Sequence, residues 1–278
     1  MTILITTPNG KVGSEIVQQL LAAGYDVRVG AHTLEKAQRA FPTAEVIHFD
    51  YADPSSIETA LAGVSTLYLG APGDMPAEPV NRVVDLAKAA GVTRIVKLSA
   101  SGVEQGDSSL RQNELYIEQS GLEHTFLRPT FFMQNYSTGN RESIAQQGAF
   151  YEPADQGKTG FIDTRDIAAV AVAALTQNGH AGKAYTLTGP ESLDRTQVAA
   201  AISEATGKPV QYVALTDAQF REAVSSVMSP AYVELMSGLY SFVRQGWTSQ
   251  VTGDVQQVLG RAPISFQQFA HDHADVWR

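Results

Sequence analysis

Short apolar runs and helical stripes alternate along the first half of the chain. Ile3 to Thr6 is a β-rich run, Gly10-Lys11-Val12-Gly13 makes a turn, and from Ser14 to Ala23 the residues Ile16, Val17, Leu20 and Leu21 recur at helical spacing. Gly24 stops that helix, and Val27 to Ala31 forms a second strand feeding a polar helix from Leu34 to about Ala40. The unit then repeats. Glu45 to Phe49 reads as a third strand, Ser56 to Leu61 as a helix ended by Gly63, and Thr66 to Leu69 as a fourth strand closed by Gly70-Ala71-Pro72-Gly73. A helix over Val80 to Ala90, stopped by Gly91, leads to a fifth strand, Arg94 to Leu98. A helix near Gln112 to Gln119 ends at Gly121 ahead of a sixth strand, His124 to Leu127. Each parallel strand needs a crossover to return the chain to the same edge, so strands alternating with helices predict a parallel sheet covered on both faces. The fold class is α/β: a Rossmann-type doubly wound parallel sheet.

After about Phe131 the alternation loosens. Helical patterns dominate at Asp166 to Leu175, Thr196 to Ala205, Asp217 to Val224 and Tyr232 to Val243, with short strands near Ala184 to Leu187 and Val210 to Val213. This predicts a nucleotide-binding domain over 1–150 and a smaller α-rich C-terminal lobe over 151–278, with some of its segments returning to the first domain. There is no internal repeat, low-complexity linker or charge run.

Composition narrows the function. With 278 residues, 44% hydrophobic and 18% charged, the chain has material for a sizeable core, and no stretch approaches the roughly 20 apolar residues of a membrane span. A net charge of −9 excludes a broad basic surface for nucleic acid, and zero cysteines exclude disulfides and thiolate chemistry. Met1 to Ile5 lacks the basic start and cleavage site of a secretion signal, so a cytoplasmic location is expected. His271 and His273, two residues apart, point to different helix faces, and no metal site is expected.

The chemistry concentrates in Thr6-Thr7-Pro8-Asn9-Gly10-Lys11-Val12-Gly13, between a strand and a helix. Glycines there let backbone approach a pyrophosphate, and a helix N-terminus offers amides and the positive end of its dipole. Alone, Gly-x-x-Gly is a weak signal, since glycines mark many strand-helix turns; the repeated units behind it give it weight.

At this point the sequence resembles the NmrA-like group of atypical short-chain dehydrogenases, which includes NAD(P)H quinone and triphenylmethane reductases. The family's first strand ends T-G-A-T-G-x-x-G where this chain has T-T-P-N-G-K-V-G, so Thr7 stands in place of the first glycine. Other matching stretches are Ala87 to Val92, Ser120-Gly121-Leu122, Leu127 to Asn135, Asp163 to Ala168 and Tyr185 to Pro190. The resemblance implies a dinucleotide held by Thr6, Thr7, Asn9, Gly10, Lys11, Val12 and Gly13. It also puts Asp50 and Tyr51, after the third strand, beside the adenine. Leu69, Gly70, Ala71 and Pro72, closing the fourth strand, run along the cofactor by the rule that ligands sit at the carboxyl ends of parallel strands.

Cofactor choice turns on the end of the second strand, where NAD-specific proteins place a carboxylate for the ribose hydroxyls. Gly30-Ala31-His32-Thr33 has no acid, and His32 with Lys11 can attract a 2′-phosphate, so NADPH is expected over NADH. The alternative for His32 is a solvated turn residue. Ser99 ends the fifth strand, where its hydroxyl faces the nicotinamide or caps the next helix. Ser101, Thr130, Phe131, Phe132 and Asn135 are candidates for the substrate side, with Phe131 and Phe132 equally readable as core.

Typical short-chain dehydrogenases carry a Tyr-x-x-x-Lys pair in the helix after the fifth strand, the tyrosine giving a proton. Here that helix reads L-R-Q-N-E-L-Y-I-E-Q, and Tyr116 has no lysine four residues on. Tyr116 is therefore expected to pack, and no catalytic residue is assigned. What remains is hydride transfer to a small electron-poor compound such as a quinone or aromatic dye, where orientation of the donor lowers much of the barrier. The competing reading is a non-catalytic NAD(P)H redox sensor acting through a regulatory protein partner; self-association into a homo-oligomer is open under either.

Overall fold

The computed structural model describes residues 2–278. In chain order the elements run β1 (Thr2–Thr6), α1 (Lys11–Ala22), β2 (Val27–Ala31), α2 (Leu34–Ala40), β3 (Glu45–His48), α3 (Pro54–Leu61) and β4 (Val64–Leu69). There follow α4 (Ala77–Ala89), β5 (Arg94–Leu98), α5 (Ser109–Ser120), β6 (Glu123–Pro129), α6 (Gln134–Ser137), α7 (Arg141–Gln147) and β7 (Ala149–Glu152). The chain closes with α8 (Thr164–Thr176), β8 (Lys183–Leu187), α9 (Arg195–Thr206), β9 (Gln211–Ala214), α10 (Asp217–Val224), α11 (Pro230–Arg244), α12 (Asp254–Leu259) and α13 (Phe266–Asp272).

Two compact units result. The first comprises 2–129, 164–187 and 257–260. Its described residues form a seven-stranded sheet in the order β3-β2-β1-β4-β5-β6-β8, every neighbouring pair parallel. The doubly wound expectation is met, and the run near Ala184 to Leu187 becomes the seventh strand, paired from Thr125↔Lys183 to Pro129↔Leu187. Helices on both faces explain why Ile3, Leu4 and Ile5 are consecutive apolar residues, all fully buried, rather than alternating. On α1, Val12, Ile16, Val17 and Leu20 form the buried stripe, each burial stabilising by roughly 1.5–3 kcal/mol. Caps set the helix ends: the Asp53 carboxylate accepts from Ser55 N at 3.0 Å with Pro54 at the first position of α3, and Ser108 Oγ accepts from Arg111 N at the start of α5. The strand order reverses direction between β1 and β4, and this is where a doubly wound sheet opens a crevice at its carboxyl edge.

The second unit comprises 130–163, 188–256 and 261–278. β7 and β9 pair in parallel, from Ala149↔Gln211 to Glu152↔Ala214, and were not foreseen as a pair. Its core is aromatic: Tyr136 meets Phe150, Phe161 and Phe266 edge-on at 5.1–5.7 Å, and the Trp277 indole donates to the Tyr136 carbonyl at 2.9 Å. Arg195, fully buried, donates to Glu152 at 3.0 Å and to Thr159 Oγ1 at 2.7 Å, and stacks over Phe161. Desolvation alone would make such a pair costly, and the ring contact and second acceptor offset it. No helix among the described residues is long and apolar enough to cross a membrane.

Candidate functional site

The junction of β1, α1 and β4 is built from residues with little or no side chain. Gly10 caps α1 in extended backbone and its amide donates to the Thr7 carbonyl at 3.0 Å, closing the turn. The helix therefore starts at Lys11, not at Ser14, and Lys11, Val12 and Gly13 supply the first-turn amides, which an α-helix leaves without internal acceptors. Gly13 is buried against the turn itself. A β-carbon there would collide with the Thr7 carbonyl oxygen and lie 3.0 Å from the Thr7 carbonyl carbon and 3.2 Å from Pro8 Cα. Thr7 holds φ +49°, the left-handed region a glycine adopts freely. The substitution of threonine thus keeps the turn's shape and stores strain of about 1–2 kcal/mol.

Thr6 stitches the turn to β4. Its hydroxyl donates to the Gly70 or Tyr68 carbonyl, at 3.0 and 3.1 Å, and accepts from the Gly70 amide at 2.9 Å. Gly70 itself lies so close to the Thr7 hydroxyl that a β-carbon would collide with it. The Tyr51 hydroxyl donates to the Gly70 carbonyl. Burial pushes the Tyr51 and Tyr68 hydroxyls well above the usual phenol range, so both stay protonated. Tyr68 Oη is buried with no hydrogen-bond partner among the described residues. Leu69 is fully buried, Ala71 half-buried and Pro72 exposed, so β4 leaves the sheet here and its continuation borders a cavity of about 460 Å³. Asp50, Tyr51, Pro72, Met75, Pro79 and Arg82 are among its walls.

The ends of β2 and β3 meet beside that cavity. His32 is exposed, and its Nε2 lies 3.6 Å from Asp50 Oδ2. Asp50 Oδ1 accepts from the Ala52 amide at 2.9 Å, which fixes the carboxylate. The His48 ring is 5.8 Å from that of His32. An acid therefore does stand at the end of β2, contributed by the loop after β3. The sequence of β2 alone concealed it, because the pairing is created by the register Ala31↔His48.

A family model for NAD(P)H-binding proteins matches residues 8–178. The chain is 36% identical to the NAD(P)H azoreductase of Xenophilus azovorans, over 98% of each. It belongs to this NAD(P)H-binding family. Among solved structures, an NADPH-dependent quinone oxidoreductase from Escherichia coli in complex with NADPH superimposes with a TM-score of 0.83 at 25% identity, over 98% of this chain and 99% of that one. The Citrobacter triphenylmethane reductase complexed with NADP(H) gives 0.83 at 23%, over 99% and 100%, and shares the fold. The resemblance to NmrA-like reductases holds, and the chain is an NAD(P)H-dependent oxidoreductase.

The glycine-lined turn, the first-turn amides of α1 and the cavity beside Asp50 and Tyr51 fit a dinucleotide. Thr6, Thr7, Gly10, Val12, Gly13 and Gly70 are brought together at the turn, with Asn9 and Lys11 exposed on it.

Around β5, α5 and β6 lies a buried charged cluster that the sequence did not announce. Glu114 of α5, fully buried, accepts from Arg111 at 3.0 Å and from Arg128 of β6 at 2.8 and 2.9 Å. Burial opposes ionisation of Glu114, but the hydrogen bonds from Arg128 and Arg111 outweigh it and hold the carboxyl below the usual range. Lys97, on β5, is buried in the same place; desolvation brings its ammonium down to about 8, against the pull of Glu114. A lysine inside the apolar run Arg94 to Leu98 was the available signal. Ser99 is buried, and the start of α5 is capped by Ser108, so Ser99 has no capping duty there. Ser101 is exposed, its amide donating to the Pro129 carbonyl at 3.0 Å. The Tyr116 hydroxyl donates to Asp85 of α4, 2.8 and 2.9 Å from its two oxygens, and that hydrogen bond raises its pKa. Tyr116 is tied to α4 and packs, as the missing lysine implied.

The remaining substrate-side candidates belong to the second unit. Thr130 donates to the Gly160 carbonyl, Phe131 leans on Tyr240 at 5.9 Å, Phe132 bridges to Ile162, and the Asn135 amide donates to the Phe132 carbonyl at 3.1 Å.

Proposed function

We propose that the protein reduces a small, flat, electron-poor acceptor, a quinone or an azo or triphenylmethane dye, with NADPH preferred over NADH as donor. When bound, the dihydronicotinamide supplies the hydride. The observation that carries the reading is the junction of Thr6, Gly13 and Gly70 at the point where the strand order reverses, in a chain similar along its length to an azoreductase. The chain's part is to orient: α1 amides and the turn backbone take the pyrophosphate, Tyr51 and Asp50 border the adenine cavity, and β4 from Leu69 to Pro72 tracks the cofactor. By the carboxyl-edge rule Ser99 is a candidate contact for the nicotinamide and Ser101 for the acceptor. Thr130, Phe131, Phe132 and Asn135 are candidates there on chain position alone, following the end of β6. With Tyr116 engaged by Asp85, acceptors that need no tyrosine acid are favoured, since their proton can come from water after hydride transfer.

The test is NADPH oxidation against a panel of quinones, azo dyes and triphenylmethane dyes. Turnover with at least one class is expected. Tight NADPH binding with no turnover on any of them would overturn the reductase reading in favour of a sensor working through a protein partner.

A further inference from the structure

The 2′-position of the cofactor's adenosine ribose lies, on the reading above, at the ends of β2 and β3, and the proposal here rests on that reading. A carboxylate in this place accepts the ribose hydroxyls of NADH and repels the 2′-phosphate of NADPH, whereas a cation does the reverse. This protein has both, the Asp50 carboxylate beside the His32 imidazole, with Lys11 exposed at the start of α1 as a further cation common to every variant below. His32 Nε2 is 3.6 Å from Asp50 Oδ2, so the two groups act on an incoming phosphate together. The geometry is suited to that. The Asp50 carboxylate is pinned by the Ala52 amide and borders the cavity of about 460 Å³, while the His32 side chain is three-quarters exposed.

We infer that His32 and Asp50 form a proton-gated selector of the dinucleotide, the protein favouring NADPH when His32 is charged and losing that preference when it is neutral. Imidazoles change charge between about pH 5 and 8. With the imidazolium present, the pair is neutral overall and presents N–H donors to the phosphate. With the imidazole neutral, Asp50 is left as a net negative charge beside the 2′-position. The groups facing His32 are Asp50, from the loop after β3, and His48, from β3. His48 places a second imidazole beside His32, so its contribution must be separated experimentally. Removing one unit charge about 4 Å away in a water-exposed site changes affinity by about fivefold.

The experiment is calorimetric titration of the purified protein with NADPH and with NADH at pH 6 and pH 8 and constant ionic strength, on wild type, His32→Gln, His48→Gln and Asp50→Asn. The 2′-phosphate has its own ionisation near pH 6, which is common to all four proteins, so the His32→Gln ratio is the baseline. Relative to that baseline, the wild-type preference for NADPH should fall by about fivefold between pH 6 and pH 8. His48→Gln should retain this dependence, and Asp50→Asn should raise the NADPH preference at pH 8. Superimposable ratios for wild type and His32→Gln, or a dependence abolished by His48→Gln instead, would overturn the selector while leaving the dinucleotide site in place. Gly13→Ala, titrated alongside, distinguishes the deeper failure: unchanged affinity for both cofactors in that variant would mean the site itself has been misassigned.

Discussion

Replacing Gly13 with alanine adds one methyl group where the chain has no room for it. The new carbon would overlap the Thr7 carbonyl oxygen and crowd the Thr7 carbon and Pro8 Cα, all backbone, so no side chain can rotate away. Either α1 moves off the turn or the turn moves off α1. Overpacking of this kind costs about 1–3 kcal/mol. Where the turn yields, the cost falls on the cofactor: a displaced set of α1 amides loses its aim at the pyrophosphate, and 1.4 kcal/mol is about tenfold in affinity. Gly13→Ala should therefore weaken NADPH binding by about tenfold or more by calorimetry, and lower the urea midpoint where the helix cannot relax. The control is Gly238→Ala within α11, where a β-carbon meets nothing within 4 Å; helix propensity predicts a gain of about 0.5–1 kcal/mol there with binding untouched. Binding within twofold of wild type and an unchanged midpoint in Gly13→Ala would refute the assignment of this turn.

Three further outcomes follow from the same geometry. Thr7→Gly relieves left-handed strain but adds freedom to the unfolded chain, for a net gain of about 0.5 kcal/mol in urea unfolding; a loss above about 1 kcal/mol would mean the Thr7 side chain holds the turn. Tyr116→Phe should keep most of its turnover with a quinone, and a loss of roughly a hundredfold with the fold intact by circular dichroism would show the hydroxyl acting as an acid. For Lys97, burial brings the folded ammonium to about 8, below its unfolded range, so the folded state binds fewer protons above that pH and stability rises as the pH climbs through it. Wild type should gain on Lys97→Met by about 1–2 kcal/mol between pH 8 and 9.5 in urea melts, and parallel curves would contradict the burial of a charged lysine.

The strands β1, β2, β4, β5 and β6 were legible because each buries a short apolar run bounded by glycine or a polar turn, a local pattern needing no knowledge of the partner strand, and the edge strand β3 was legible from Val46 and Ile47, which are only half-buried. β7 escaped because its four residues, Ala149 to Glu152, carry a buried glutamate and pair with β9 some sixty residues on. The turn between β1 and α1 was visible from Gly10 and Gly13, but the reason Gly13 must lack a side chain, contact with the Thr7 backbone, was not. His32 was singled out from its place at the end of β2 and Asp50 from its place after β3; that the two are neighbours emerged only once the β2–β3 register put both at one edge. The cluster of Lys97, Glu114, Arg111 and Arg128 unites β5, α5 and β6, and no local spacing encodes it.

Direct hydride delivery from a dinucleotide held at the β1–α1 turn is tested with a labelled donor. A triphenylmethane dye is the right acceptor, because hydride added to its central carbon gives a C–H bond that does not exchange with water. With NADPH deuterated at both C4 positions of the dihydronicotinamide, the colourless product should carry one deuterium at that carbon by mass spectrometry, in ordinary water, with the rate lowered in Gly13→Ala. Dye product lacking deuterium at that carbon, or NADPH bound with no reduction of any quinone or dye in the panel, would contradict it.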